Sequence, residues 1–122
     1  MAGLEKKRFE DADETRPFAD KGHVEIVNFG DGVVGRATFQ PGWKWSEHVK
    51  PIVGTDSCQA AHFGYVVSGR QAIRMDDGSE LEISAGDIVS IPPGHDGWTV
   101  GDEPCVVLDF VGMADYAKQD SR

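Results

Sequence analysis

Apolar and polar positions alternate along most of this chain in runs of four to ten residues, broken by Gly, Pro and Asp. From His23 to Phe29, Val24, Ile26 and Asn28 alternate with Glu25, Val27 and Phe29, the two-residue period of a strand. Gly30-Asp31-Gly32 is a hairpin signal, and a second strand is expected from Val33 to Phe39, stopped by Pro41-Gly42. Trp43 to His48 reads as an extended segment, with Trp43 and Trp45 on one face and Ser46, His48 and Lys50 on the other. Residues 51–57 read as a loop. Further strands are expected over 59–68 and 71–75, and over 80–83 after the Asp76-Asp77-Gly78-Ser79 turn. Ile88, Val89 and Ile91 form a short β run with apolar residues on both faces, ended by Pro92-Pro93-Gly94 because consecutive prolines withdraw two backbone donors. The last strands are expected at 98–100 and 105–110. Eight or nine short strands at intervals of about ten residues, with no convincing amphipathic helix, predict an all-β sandwich or barrel.

The ends differ. Residues 1–20 are polar and without a sustained period, an expected mobile arm or edge extension that Phe9 and Phe18 would pin. The barrel is expected over 21–112. Residues 113–122 form a tail, with one or two helical turns between Met113 and Lys118.

Length and charge narrow the function. A chain of 122 residues is one domain with room for a core that needs no disulfide staples. Its net charge of -9 argues against nonspecific nucleic-acid binding and against anionic membranes, which both call for basic surfaces. With no hydrophobic leader and only two cysteines, Cys58 and Cys105, a cytoplasmic protein with free thiols is expected.

The stretch Gly86-Asp-Ile-Val-Ser-Ile-Pro-Pro-Gly94 has the spacing Gly, five residues, Pro, any, Gly, and it resembles the second motif of the cupin superfamily. The first cupin motif is Gly, five residues, His-x-His, a spacer, Glu, six residues, Gly. Here Gly42 precedes His48 by five intervening residues, Lys50 stands at the second His position, and His62 stands at the Glu position counted back from Gly69. The usual second-motif His falls on Gly97, and His95 lies two residues earlier, on the same face of an extended strand. The strings Gly64-Tyr-Val-Val-Ser-Gly-Arg70 and Pro92-Pro-Gly-His-Asp96 are similar to a subgroup of small cupins found alone or appended to nucleotide-cyclase-like proteins.

The resemblance implies a double-stranded β-helix (jelly-roll) barrel. It implies a divalent transition metal, zinc or iron, held by His48, His62 and His95. Cys58, four residues before His62, is a candidate fourth ligand or a small buried apolar residue. Lys50 is a candidate contact for an anionic ligand, or turns to solvent. Asp96 is a candidate partner for the ring N–H of His95, or a turn former. Trp43, Trp45 and Trp98 are candidates for core or for a dimer contact, and a homodimer is expected. The expected function is a metal-binding module that holds a small, anionic organic ligand in the barrel, as a sensor or binding protein. The alternative is a metal-dependent enzyme, such as a three-histidine dioxygenase or an isomerase. No Ser-His-Asp spacing, P-loop or dinucleotide-binding glycine pattern accompanies these residues.

Overall fold

A computed structural model describes residues 3–30, 32–114 and 116–117. Nine strands run in order: β1 Glu14–Pro17, β2 Gly22–Phe29, β3 Gly32–Phe39, β4 His62–Ser68, β5 Arg70–Met75, β6 Glu80–Ser84, β7 Ile88–Ile91, β8 His95–Val100 and β9 Cys105–Asp109. Two helical turns, α1 Trp45–His48 and α2 Lys50–Val53, lie between β3 and β4. Six strands form one sheet in the order β1-β2-β3-β9-β4-β7, and three form the other in the order β6-β5-β8. Every pairing is antiparallel. This is the all-β jelly-roll barrel that the alternating pattern and the glycine-proline spacing predict.

The core fills the space between the sheets. Val24, Ile26, Ala37 and Phe39 face inward from β2 and β3; Val66, Ile73, Ile83, Val89 and Val107 do so from the later strands. Val24 and Val66 are 0% exposed, and each such side chain contributes about 1.5–3 kcal/mol by leaving water. Strict alternation carries through β8, where His95, Gly97 and Thr99 are buried, and through β9, where Cys105, Val107 and Asp109 are buried. Polar side chains at three inward positions, His95, Thr99 and Asp109, mark where this core gives way to chemistry.

Several expectations from the sequence change, and two alternatives left open by it are decided. Residues 59–61 are not strand, Cys58 before them makes an isolated bridge to His95, and β8 starts three residues earlier than expected, at His95. Trp45 to His48 is helical, not extended. The amide of Ser46 donates to Asp96 Oδ1 at 3.1 Å, so a side chain from β8 caps this turn across the structure. Pro51 opens α2, and Gly54, at φ 81°, closes it in the left-handed region that glycine adopts without strain. Trp43 and Trp45 are each 2% exposed, so they belong to the core and offer no dimer contact. Finally, the N-terminal segment is an edge extension over 14–18: β1 pairs with β2, and Phe18 stacks on Phe39 with ring centroids 5.5 Å apart. Phe9 lies under the Arg36 guanidinium, 4.9 Å from its centroid.

At the other end, Gly112–Ala114 forms a 3-10 turn. The buried Arg16 guanidinium donates to the carbonyls of Met113 and Tyr116 at 3.1 and 2.8 Å, tying this turn to β1. The remainder of the expected tail, with Lys118, lies outside the described residues.

Candidate metal centre

Three segments bring their side chains to one point. Cys58 is held beside the start of β8 by two backbone bonds: its N–H donates to the His95 carbonyl at 2.7 Å, and its carbonyl accepts from Gly94 at 2.7 Å. His62 is the first residue of β4, opposite Ile91 of β7. His95 is the first inward residue of β8. One donor atom from each of Cys58, His62 and His95 lies within 4.8 Å of the other two. Cys58 Sγ is 3.7 Å from His62 Nε2, and the two imidazole centroids are 5.3 Å apart.

Neighbours fix which ring nitrogen of each histidine faces this point. His95 Nδ1 lies 2.8 Å from the Pro92 carbonyl, which accepts only, so Nδ1 carries a proton and Nε2 is the nitrogen left to face the cluster. His62 Nδ1 meets the Asp109 carboxylate, which leaves Nε2 toward Cys58. Asp109 is 1% exposed, and its Oδ1 accepts the amides of Phe63, Val111 and Gly112 at 3.3, 3.0 and 3.1 Å. Gly112 has to be bare: a Cβ there would lie 2.7 Å from His62 Nδ1 and would collide with the Ala61 carbonyl.

The charges follow from these contacts. Burial alone would push the Cys58 thiol up, but hydrogen bonds to His62 and His95 outweigh it and bring it down to about 6. Burial works against the His62 cation, yet Asp109 and then Cys58 raise it to about 9. Burial likewise opposes charge on Asp109, and the bond to His62 with the amides of Val111 and Gly112 holds it below the ordinary carboxylate value. Tyr116, its ring edge-on to His62 at 5.3 Å, is kept a neutral phenol by burial and by the negative charge around it.

A thiolate and two imidazole nitrogens fit a divalent transition ion. Bond lengths of about 2.3 Å to sulfur and about 2.0–2.1 Å to nitrogen put tetrahedral S and N ligands about 3.6 Å apart, close to the 3.7 Å found between Cys58 and His62. Cys58 is therefore grouped with the histidines, whereas His48 is not. Its strand became α1, and its ring turns back so that its Nδ1 accepts the Lys44 amide at 3.0 Å. Lys50 lies on α2 and faces Asp56 at 3.8 Å on the surface. Asp96 does not serve His95, whose ring N–H goes to Pro92; its Oδ1 accepts the Ser46 and Gly97 amides.

Asp109, which meets His62 Nδ1, is a candidate site residue that the sequence alone does not single out. One signal was present: an acid at the end of an otherwise apolar strand, Cys105-Val-Val-Leu-Asp109, on the face of Cys105 and Val107. Beside the cluster lies a cavity of about 40 Å3, lined by His62, His95 and Asp109 and by apolar side chains such as Ile73, Val89 and Val107.

Residues 53–111 match the family model described as Cupin domain. Among curated proteins, none matches this chain. Solved structures similar in fold include the polyketide cyclase RemF from Streptomyces resistomycificus, with TM-score 0.64 and 18% identity over 90% of this chain and 80% of that one. An uncharacterized conserved protein with a double-stranded β-helix domain from Klebsiella pneumoniae has TM-score 0.60 and 19% identity over 93% and 94%. Oxalate decarboxylase from Bacillus subtilis, as its S161A mutant, has TM-score 0.58 and 19% identity over 84% of this chain; the chain spans 29% of that protein's length. At such identities these likenesses speak to the fold alone. The match over residues 53–111 and the motif spacing around Gly69 and Gly86–Gly94 agree with that fold: the chain carries a cupin domain.

Proposed function

We propose that this cupin binds a divalent transition metal through Cys58, His62 and His95, and holds a small, anionic organic ligand beside it in the barrel. The observation that carries the reading is the meeting of the Cys58 sulfur with one nitrogen of each of two imidazoles within 4.8 Å, with both ring orientations set from behind by Asp109 and Pro92. One soft sulfur and two imidazoles favour zinc over the harder ions, with iron next. No fourth side chain joins the three donors among the described residues, the pattern of sites that leave a position for water or a ligand. When bound, the ion would supply a positive, Lewis-acidic centre facing the cavity. Tyr116 and the apolar walls would exclude bulk water from it.

A role as a sensor or binding protein needs nothing more than these features. The enzymatic alternative in its three-histidine form loses support, because His48 stands outside the cluster. A cytoplasmic location belongs to the same reading, since Cys58 and Cys105 are both unpaired thiols. Pairing of two copies would draw on the outer face of β4, where Phe63, Tyr65 and Val67 are exposed; sedimentation tests it.

Elemental analysis of protein purified without a histidine tag tests the centre. We expect about one zinc or iron per chain, lost in Cys58→Ser, His62→Ala and His95→Ala. Full metal content in all three variants would refute it.

A further inference from the structure

Two buried donors on the cavity wall have no partner. Trp43 is 2% exposed and Gln71 5%, and the indole Nε1 and the amide Nε2 each lack a hydrogen bond. Both side chains line the same cavity as His62 and His95. Backbone pairing brings them together at one end of the barrel. Gln71 of β5 stands opposite Thr99 of β8, and the Thr99 amide donates to the Trp43 carbonyl at 3.0 Å. Between Thr99 and His95 the inward position is Gly97, which bears no side chain; a Cβ there would meet Ile73 Cδ1 at 3.2 Å and Gln71 Oε1 at 3.8 Å.

A buried donor without an acceptor costs about 1–3 kcal/mol, a penalty that a chain keeps only where something offsets it. Among the described residues, the buried side-chain atoms without a partner are these two, and both are donors. A ligand that satisfies them without creating a new orphan offers acceptors alone. A carboxylate does so; an amide or an ammonium brings N–H groups that the apolar wall cannot receive. Size narrows the class further. One water needs about 10–15 Å3 of such space, so about 40 Å3 takes roughly three water-sized groups. That is the size of formate or acetate.

We propose that the cavity recognises a short carboxylate through the Trp43 indole N–H and the Gln71 amide, the rest of the ligand lying against the apolar wall. This rests on reading the barrel as the place where a ligand is held, and it adds the ligand's class and two residues that select it.

The test is calorimetric titration of the full chain, metal-loaded and chelator-stripped in parallel, with formate, acetate, acetamide, ethylammonium and benzoate. Acetate should bind at least about tenfold more tightly than acetamide, and benzoate and ethylammonium should not bind. Trp43→Phe and Gln71→Leu should each weaken acetate about tenfold or more in both forms, the loss of a bond to a charged group. Metal content should stay unchanged, and Gln71→Leu should melt no lower than the parent, since it loses an orphaned donor, whereas Trp43→Phe also loses packing against Phe18 and Phe39. Equal binding of acetate and acetamide would overturn the proposal. So would undiminished acetate affinity in both variants, which would mean that the donors hold a trapped water only or that acetate sits on the ion alone. A parent chain that carries no metal yet selects acetate through Trp43 and Gln71 would refute the metal centre and leave this inference standing.

Discussion

Replacing Asp109 by Asn tests the site through a residue that touches no ion. The side chain keeps its shape, and its Oδ1 can still accept the amides of Phe63, Val111 and Gly112. Three amides outweigh one imidazole, so the new Nδ2 must turn toward His62 Nδ1. Two N–H groups cannot face each other, so His62 has to move its proton to Nε2. That nitrogen is the one 3.7 Å from Cys58 Sγ, and its lone pair is then lost to a metal. Removing an outer partner of this kind typically costs 10–100-fold in metal affinity, or about 1.4–2.8 kcal/mol. The His62 value, raised to about 9 chiefly by Asp109 against the pull of burial, should fall toward the ordinary 6.5. Competition with a chromophoric chelator measures the affinity, and nitrogen-detected NMR of the imidazole reads the tautomer. Unchanged affinity together with a His62 that keeps its proton on Nδ1 would refute the reasoning.

Four further outcomes follow. Cobalt-loaded protein should show a thiolate charge-transfer band that disappears in Cys58→Ser and persists in His48→Ala, since the His48 ring is bound to Lys44. Gly112→Ala should lower metal content and melting temperature together, because its Cβ would push His62 off Asp109. In the metal-free protein, the Cys58 value is depressed from 9.0 to about 6, so its contribution to stability is present above 9 and lost as pH falls through 6. The His62 value is raised from 6.5 to about 9, so its contribution is full below 6.5 and lost as pH rises through 9. The shared pair should therefore make metal-free stability peak between these limits, and chemical denaturation across pH should show a maximum there that Cys58→Ser abolishes. In the same protein, ultraviolet absorbance should report one thiolate forming near pH 6, while Cys105, pushed up to about 12 by burial and by Glu103, stays protonated throughout.

The strands were legible in the sequence because side chains alternate with a period of two and turns need Gly, Pro or Asp, both purely local facts. His62 and His95 were legible for a related reason: Gly69 and the Gly86–Gly94 frame fix their position along strands, and parity fixes their face. What failed locally was the segment from Trp43 to His48. Its two-residue spacing of tryptophans also suits a helical turn once Asp96, fifty residues away, accepts the Ser46 amide, and no window of sequence contains that bond. The change carried His48 out of the site. It also returned Lys50 to the surface. Asp109 and Cys58 reach His62 by the opposite route: β9 pairs with β4, and residue 58 bridges to β8, so contacts across 47 and 4 residues meet at one imidazole. Local pattern was enough for most of the strands and turns and for the inward positions of His62 and His95. Sheet pairing decided which acid orients His62, which sulfur joins it, and that Trp43 and Gln71 end beside the same cavity, because those contacts exist only after distant strands have closed the barrel.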